Sequence, residues 1–515
     1  MGLAKGLTKV IENDVMLAKL ELQINVDGVP LFKSSSTSLW PILCSVKNSS
    51  NRKPFVVGLF CGIQKPVSAK EFLADFVDEA IYLLEHGLTV QDRHIPVVVH
   101  SFVCDAPAAA WVKGIKSHSG YSSCGKCRVV GEYYAGKVVL SSTDSPLRTD
   151  EEFKARSDED HHVQPCPLDP LPVGFVTTFA LDAMDVCCLG IARRFILYWK
   201  GPVGPLNVRL PRKEVCNLSS KLLFLASYVP LEFARKPRSL DEVHRWKATE
   251  FREFLLYSGF LVLDGILPGP LYDHFLLLFV AIRILMSPQL AIPYADYANE
   301  LLKKFVNDAE ILYGKQTLVY NVHSLIHLAA DVKKLGSLEN FSAFIFENEL
   351  GHLKKLVRKP QNPIQQILKR LDEQTMYCIQ SPSKISEPTT KLEHSRGPLL
   401  TSVIGAQQYK QLHSDRWTLT LSSGNNCIML KDGTPALVKN IVKTKDSVVY
   451  LVCTQFLVVT DAFSSPLQSS KLSILKVEQE CEQLFSVTPT DVICKCVCWP
   501  TSVDASSHII IPMLH

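Results

Sequence analysis

The hydrophobic period changes twice along this chain, and those changes constrain the fold more than any single motif. In the first 115 residues "LELQINVDGVPLF", "LWPILCSVK" and "FVVGLFCG" are short apolar, partly alternating runs separated by Ser, Asn, Lys and Pro turns. They read as a meander of three strands. "SAKEFLADFVDEAIYLLEHG" then carries apolar residues at 72, 73, 76, 80, 81, 83 and 84. Ser68 stands at the N-cap, Glu71 completes a capping box and Gly87 closes the helix. A fourth strand, "IPVVVHSFV", runs into the Ala-rich helix start "CDAPAAAWVKGIK". The order is β-β-β-α-β-α.

From about 120 to 170 the chain is polar, with Cys and His clusters; from 175 to 335 the spacing is helical. "FSAFIFENELGHLKKLVRK" and "NPIQQILKRLDEQ" add two helices, the second with Pro363 at its first position. A Ser/Pro/Lys-rich linker precedes "ALVKNIVKT", "SVVYLVCTQFLVV", "VICKCVCW" and "HIIIPML", where the period returns to two. With 515 residues, two to four domains are expected, and 47% hydrophobic against 21% charged residues excludes a disordered chain. The net charge of +4 gives no global nucleic-acid signature, so any such binding rests on local patches. Sixteen dispersed cysteines read as reduced intracellular thiols, a few of them metal ligands. "MGLAKGLTKVIEND" lacks the apolar core of a signal peptide, and Gly6 breaks the myristoylation pattern. "LYDHFLLLFVAIRILMSP" carries Asp273, His274 and Arg283 and reads as a buried helix instead of a membrane span.

The element order is that of a ribonuclease-H-like core. The expected class is therefore α/β: such a core with a large all-α insertion, plus a small C-terminal all-β domain. The expected boundaries are 18–118 for the first part of the core, 119–172 for a Cys/His-rich zinc segment and 173–335 for the insertion. Core-completing helices occupy 336–378, the linker 379–398 and the β-rich domain 399–515. In this architecture the first and fourth strands are neighbours. Asp27, falling where the core face of the first strand is expected, then lies beside Asp105 at the end of the fourth. Two such carboxylates repel, and a divalent cation with a taste for oxygen, Mg²⁺ or Mn²⁺, removes the penalty. Taken alone, Asp27 reads first as a turn residue in Asp-Gly and Asp105 as a helix N-cap; together, in this element order, the metal reading overtakes both.

"NVDGVPLFKSSSTSLWPIL", "FVCDAPAAAWVKGIKSHSGYSSCGKC", "RKPRSLDEVHRWKATEFREFLLYSG", "YGKQTLVYNVHSLIHLAADVKKLGSLENFSAFIFEN" and "HLKKLVRKPQNPIQQILKRL" resemble the metazoan relatives of CACTA (En/Spm-type) transposases. The resemblance covers roughly residues 20–375. It implies a DDE triad of Asp27, Asp105 and a late Glu, for which Glu347 in "FEN" is the candidate; Glu349, on another helix face, reads as a solvated charge. It also implies two-metal phosphoryl transfer on DNA, with hydrolytic nicking at element ends and strand transfer into a target by the freed 3′-hydroxyl. DNA (transposon ends and target), a homo-oligomeric partner, no membrane and a nuclear location follow as expectations. With the core beginning near residue 20, an N-terminal DNA-binding module is expected to be absent, which favours a non-catalytic reading. The family pattern, as this resemblance implies it, has His where this chain has Asp185 in "LDAMDVCC". That departure opens a second reading, a catalytically inactive descendant kept as a nucleic-acid- or protein-binding module. A third is a nuclease that cuts without joining.

Further candidates lie outside the triad. Cys124 and Cys127 in "CGKC", with His118 and His161, make a candidate zinc set, with His162 and Cys166 competing for places. Buried or surface thiols, or redox chemistry, are the alternatives. His323, His327 and Asp331 share a helix face at i, i+4, i+8 and either bind metal, line the site or pack helices. Trp246 among Arg245, Lys247 and Arg252 is a candidate base-stacking group or a packing anchor. Lys354, Lys355, Arg358 and Lys359 form a cationic helix face able to track phosphates.

Overall fold

A computed structural model of the chain describes residues 1–33, 35–378, 388–401, 405–502 and 506–514. The chain forms two compact units, one of residues 1–191 with 285–383 and one of 192–284 with 384–515. These cut across the expected boundaries. Segment 173–335 is divided between them: its residues 173–191 and 285–335 belong to the unit that contains the N-terminal sheet, and 192–284 to the unit that contains the β-rich end.

The first unit is built on strands β1 (Leu20–Val26), β2 (Ser38–Val46), β3 (Phe55–Gly62), β4 (Val97–Val103) and β5 (Phe179–Ala180). Their spatial order is β5-β4-β1-β2-β3, with Val29–Pro30 also paired to β2. β1, β2 and β3 pair antiparallel, whereas β4 runs parallel to β1 and β5 parallel to β4. A parallel return needs a crossover, and helix α2 (Ala69–His86) supplies it. The Ser68 hydroxyl accepts from the Glu71 N–H (3.1 Å), and Gly87, at φ 66, ends the helix where a side chain would be strained. Leu73, Phe76, Ala80 and Leu83 face the sheet's apolar cluster with Leu22, Ile24 and Val26. Helix α1 (Leu3–Asn13), ahead of the expected core boundary at residue 18, adds Leu3, Leu7 and Ile11 to that cluster. The Leu3 and Ala4 N–H groups donate to Glu79 of α2.

β1 is buried on both faces, as a central strand is. Leu22, Ile24 and Val26 form one face. Gln23 and Asn25 form the other, and both are hydrogen-bonded: Gln23 Nε2 to Ser101 Oγ (3.1 Å) and the Asn340 carbonyl (2.6 Å), Asn25 Nδ2 to the Val103 carbonyl (2.7 Å). Side chains alternate along a strand, so Asp27 continues the polar face of Gln23 and Asn25. It does not interrupt the apolar one.

In the second unit a ten-stranded antiparallel sheet runs from Thr389–His394 to Ser507–Pro512. Its longest pair is Pro435–Lys443 with Val449–Asp461. Of the expected linker, residues 379–387 lie outside the described residues. Thr389–His394 is an edge strand paired with Gln407–His413, and its exposure accounts for its polar, linker-like composition. Lys495, 1% exposed, is held by Glu232 (2.8 and 3.1 Å), Asn425 Oδ1 (2.8 Å) and the Thr418 carbonyl (2.7 Å). Gly269–Met286 is long and apolar enough to cross a membrane, but 78% of it is buried inside the fold. Its Arg283 donates to the Leu256 and Pro512 carbonyls.

Candidate functional site

Strand register brings the acidic residues together. Ile24 pairs with Phe102, an offset of 78, and 105 − 27 is also 78. Phe102 pairs with Phe179, an offset of 77, and 182 − 105 is also 77. Asp27, Asp105 and Asp182 therefore sit at one level beyond the carboxyl ends of three adjacent parallel strands, where open α/β sheets place their ligands. Burial and the Asp105 charge, with smaller contributions from Glu347 and Asp182, push the Asp27 carboxyl up to about 7. Burial also raises Asp105, partly offset by the Ala108 N–H. No lysine or arginine forms an ion pair with Asp27, Asp105, Asp182, Asp185 or Glu347 among the described residues.

The individual carboxylates have different free valences. Asp105 caps helix α3 (Ala106–Lys113) through Oδ1, which accepts from Ala108 N (2.7 Å). Asp27 Oδ1 accepts from Gly28 N (2.6 Å). Asp105 thus fills the N-cap role that its sequence neighbours suggested, and each carboxylate keeps its second oxygen without a hydrogen bond. Asp182, 2% exposed, spends both oxygens: Oδ1 on Ala343 N (2.7 Å) and Oδ2 on Asp185 N (2.9 Å). Asp182 is therefore a clamp on the backbone.

What it clamps is the start of helix α4 (Phe344–Leu356), which bears Glu347. The Asn340 carbonyl just before that helix accepts from Gln23 Nε2 and from Arg52 Nη2 (2.9 Å). Near its end Lys354 Nζ donates to the Pro30 carbonyl (2.6 Å). Three attachments to the sheet thus fix the helix, and the Glu347 charge is felt by both Asp27 and Asp185. Glu347 is solvent-exposed and Glu349 is buried, the reverse of the surface role expected for Glu349; Phe346, Leu350 and Leu353 place the buried stripe of α4 on that side.

Asp185 lies in the first turn of a π-helix, Met184–Ala192. Burial, then the charges of Asp182, Asp105, Asp27 and Glu347, push the Asp185 carboxyl up to about 8.

Beside the acids lies a second cluster. Cys124, Cys127, His323 and His327 are all buried. The edges are Cys124 Sγ to Cys127 Sγ 3.6 Å, Cys124 Sγ to His327 Nε2 3.5 Å, Cys127 Sγ to His323 Nε2 3.2 Å, and His323 Nε2 to His327 Nε2 3.3 Å. Zinc–sulfur and zinc–nitrogen bonds imply tetrahedral edges of about 3.3–3.8 Å, so the cluster can hold a metal such as zinc. The Lys126 and Cys127 N–H groups donate to Cys124 Sγ (3.4 Å each). Against burial, hydrogen bonds from Cys127, His323 and His327 hold the Cys124 thiol well below its usual range.

The expected partners His118 and His161 are not in this cluster. His118 is exposed and near Asp105, whose charge it eases. His161 is fully buried, with Nδ1 on the Ser122 carbonyl (2.7 Å); His162 packs on Phe153, and Cys166 lies by the Val112 carbonyl. Proximity in sequence misled here. The i, i+4 spacing of His323 and His327 was the better signal, because a helix carrying two ligands needs only to dock on the Cys-x-x-Cys turn. Asp331, one further turn on, is no ligand: it pairs with Lys126 Nζ (2.5 Å) and accepts from Leu181 N (2.9 Å). That chain of contacts joins the Cys/His cluster to the residue beside Asp182.

In the second unit Trp246 is 6% exposed and packs on Phe251 and Phe254, so its indole is not free to stack on a base; Arg245 and Lys247 beside it are exposed. Lys355, Arg358 and Lys359 are exposed. The β-rich end, residues 393–513, matches a family described as "Domain of unknown function (DUF8592)". No curated protein matches the chain.

Proposed function

We propose that the first unit is a ribonuclease-H-like core of DDE-transposase type, which cuts and rejoins DNA phosphodiesters with Mg²⁺ or Mn²⁺ held by Asp27, Asp105 and Glu347. The equal register of Asp27 and Asp105 on adjacent parallel strands carries this reading. The sheet order β5-β4-β1-β2-β3 and the Glu-bearing helix tied to the strand ends support it. The donor set fits the ions: oxygen ligands only, crowded enough to raise one another's proton affinity, with no ion-paired cation among the described residues. When bound, such ions supply Lewis-acid polarisation of a phosphate and activation of the attacking oxygen.

The chain's own residues then have separate tasks. Asp27 and Asp105 offer their free oxygens from rigid strand ends. Glu347 closes the set from α4, and Asp182 holds that helix in place. Zinc in the Cys124–Cys127–His323–His327 cluster would lock the Asp331-bearing segment against the 124–127 turn, and through Leu181 fix the level of Asp182. A nuclear location and DNA as partner belong to the same reading. The added carboxyl of Asp185 favours a second one, a retired site on a retained fold. Supercoiled plasmid incubated with Mn²⁺ separates them: nicking that Glu347→Gln abolishes supports catalysis. Nicking by neither protein supports the retired site, and nicking by both removes Glu347 from the set.

A further inference from the structure

The cleft lined by Asp105, Asp182 and Asp185 extends along α3 to Lys113, Lys116 and Ser123. Lys113 is 3% exposed, yet its ammonium makes no hydrogen bond or ion pair among the described residues. It lies between the rings of Phe153 (5.0 Å) and Phe179 (5.1 Å), which shelter a cation without neutralising it. Ser123, also 3% exposed, has a buried hydroxyl with no hydrogen-bond partner. Lys126, the other buried lysine here, is engaged by Asp331 and the Val176 carbonyl, which leaves Lys113 without a partner; burial, with the Lys126 charge, pushes its ammonium down to about 7. A Cβ on Gly125 would stand 3.2 Å from Lys113 Nζ, so the glycine of "CGKC" keeps the space before the ammonium open. A buried cation without a partner is costly. A buried lysine and an unsatisfied hydroxyl facing one cleft make a recognisable anion seat, and Lys116 and His118 stand at its mouth.

We propose that this cleft binds a phosphate group, held by Lys113, Ser123 and Lys116. Resting on the proposed function, the group is a phosphodiester of the nucleic-acid strand. Eight residues along α3, about 12 Å of helix, separate Lys113 from Asp105, so the seat takes a phosphate further along the strand than the one between the carboxylates. It sets the register of the strand instead of taking part in the chemistry.

The test is calorimetric titration of the full chain with inorganic phosphate, without added divalent ion, then competition with a short single-stranded DNA. The expected result is phosphate binding that Lys113→Met weakens about tenfold or more, the worth of a charge-assisted hydrogen bond, with DNA displacing the phosphate. Unchanged affinity in Lys113→Met, or no binding by the wild type, overturns the proposal. If Lys113→Met does not fold, Ser123→Ala and Lys116→Ala decide it: weakened binding in either supports the seat, and wild-type affinity in both overturns it. Phosphate binding that DNA cannot displace overturns the strand-phosphate assignment. Because no divalent ion is added, loss of nicking with phosphate binding intact counts against the proposed function alone.

Discussion

Asp27→Asn in metal-free protein should stabilise the fold at pH 8, although it removes a proposed ligand. The Asp27 carboxyl titrates near 7 in the fold and near 3.8 when unfolded. Its protonated form is therefore favoured by folding: the associated stability is complete below about pH 3.8 and is lost as pH rises through 7. The gap corresponds to about 4 kcal/mol at pH 8, falling below about 2 kcal/mol at pH 5. Asparagine keeps the shape and the Gly28 hydrogen bond without the charge, so the variant's advantage should follow that curve. Urea unfolding of both proteins at pH 5 and pH 8 measures it. Millimolar Mn²⁺ at pH 8 should then narrow the difference, because the ion stabilises only the carboxylate form. An advantage that is absent at pH 8, or equal at both pH values, would refute the crowding of carboxylates on which the site rests.

Other consequences follow from the same geometry. The purified chain should carry about one equivalent of tightly held zinc, and metal analysis of Cys124→Ser or His323→Ala should show its loss, whereas His118→Ala and His161→Ala keep it. Asp331→Ala leaves Lys126 buried and unpaired and should cost about 3–5 kcal/mol in chemical denaturation. Asp331→Asn should cost less, since it can still accept from Leu181. Trp246→Ala should cost about 3–5 kcal/mol through a lost core contact, while Trp246→Phe should leave DNA affinity in a gel-shift assay unchanged.

The strand order was legible because each early element has a clean period and a clear stop: Gly87 ends α2 and Asp105 opens α3. Asp27 and Asp105 could be paired from that order alone. The reason they align, a shared offset of 78 residues across a parallel ladder, needs the register, which no local pattern encodes. Asp182 escaped notice because its role is to receive the N–H of Ala343, a residue 161 positions away. The sequence shows His323 and His327 as one pair and Cys124 and Cys127 as another. Joining the two pairs required knowing that the helix docks on the turn, and sequence proximity favoured His118 and His161 instead. Glu349 reads as a surface residue by charge alone, yet it shares the buried stripe of its helix. The compact units were least visible, since segment 192–284 shows the same helical period as the stretch that follows it.

The most direct test of the acidic site is Mn²⁺ binding followed by electron paramagnetic resonance on the zinc-loaded chain. The account predicts binding in the wild type that is strongly reduced in Asp27→Asn and Asp105→Asn and weakened in Glu347→Gln, with Glu349→Gln unaffected. Equal Mn²⁺ binding by the wild type and Asp105→Asn would contradict it.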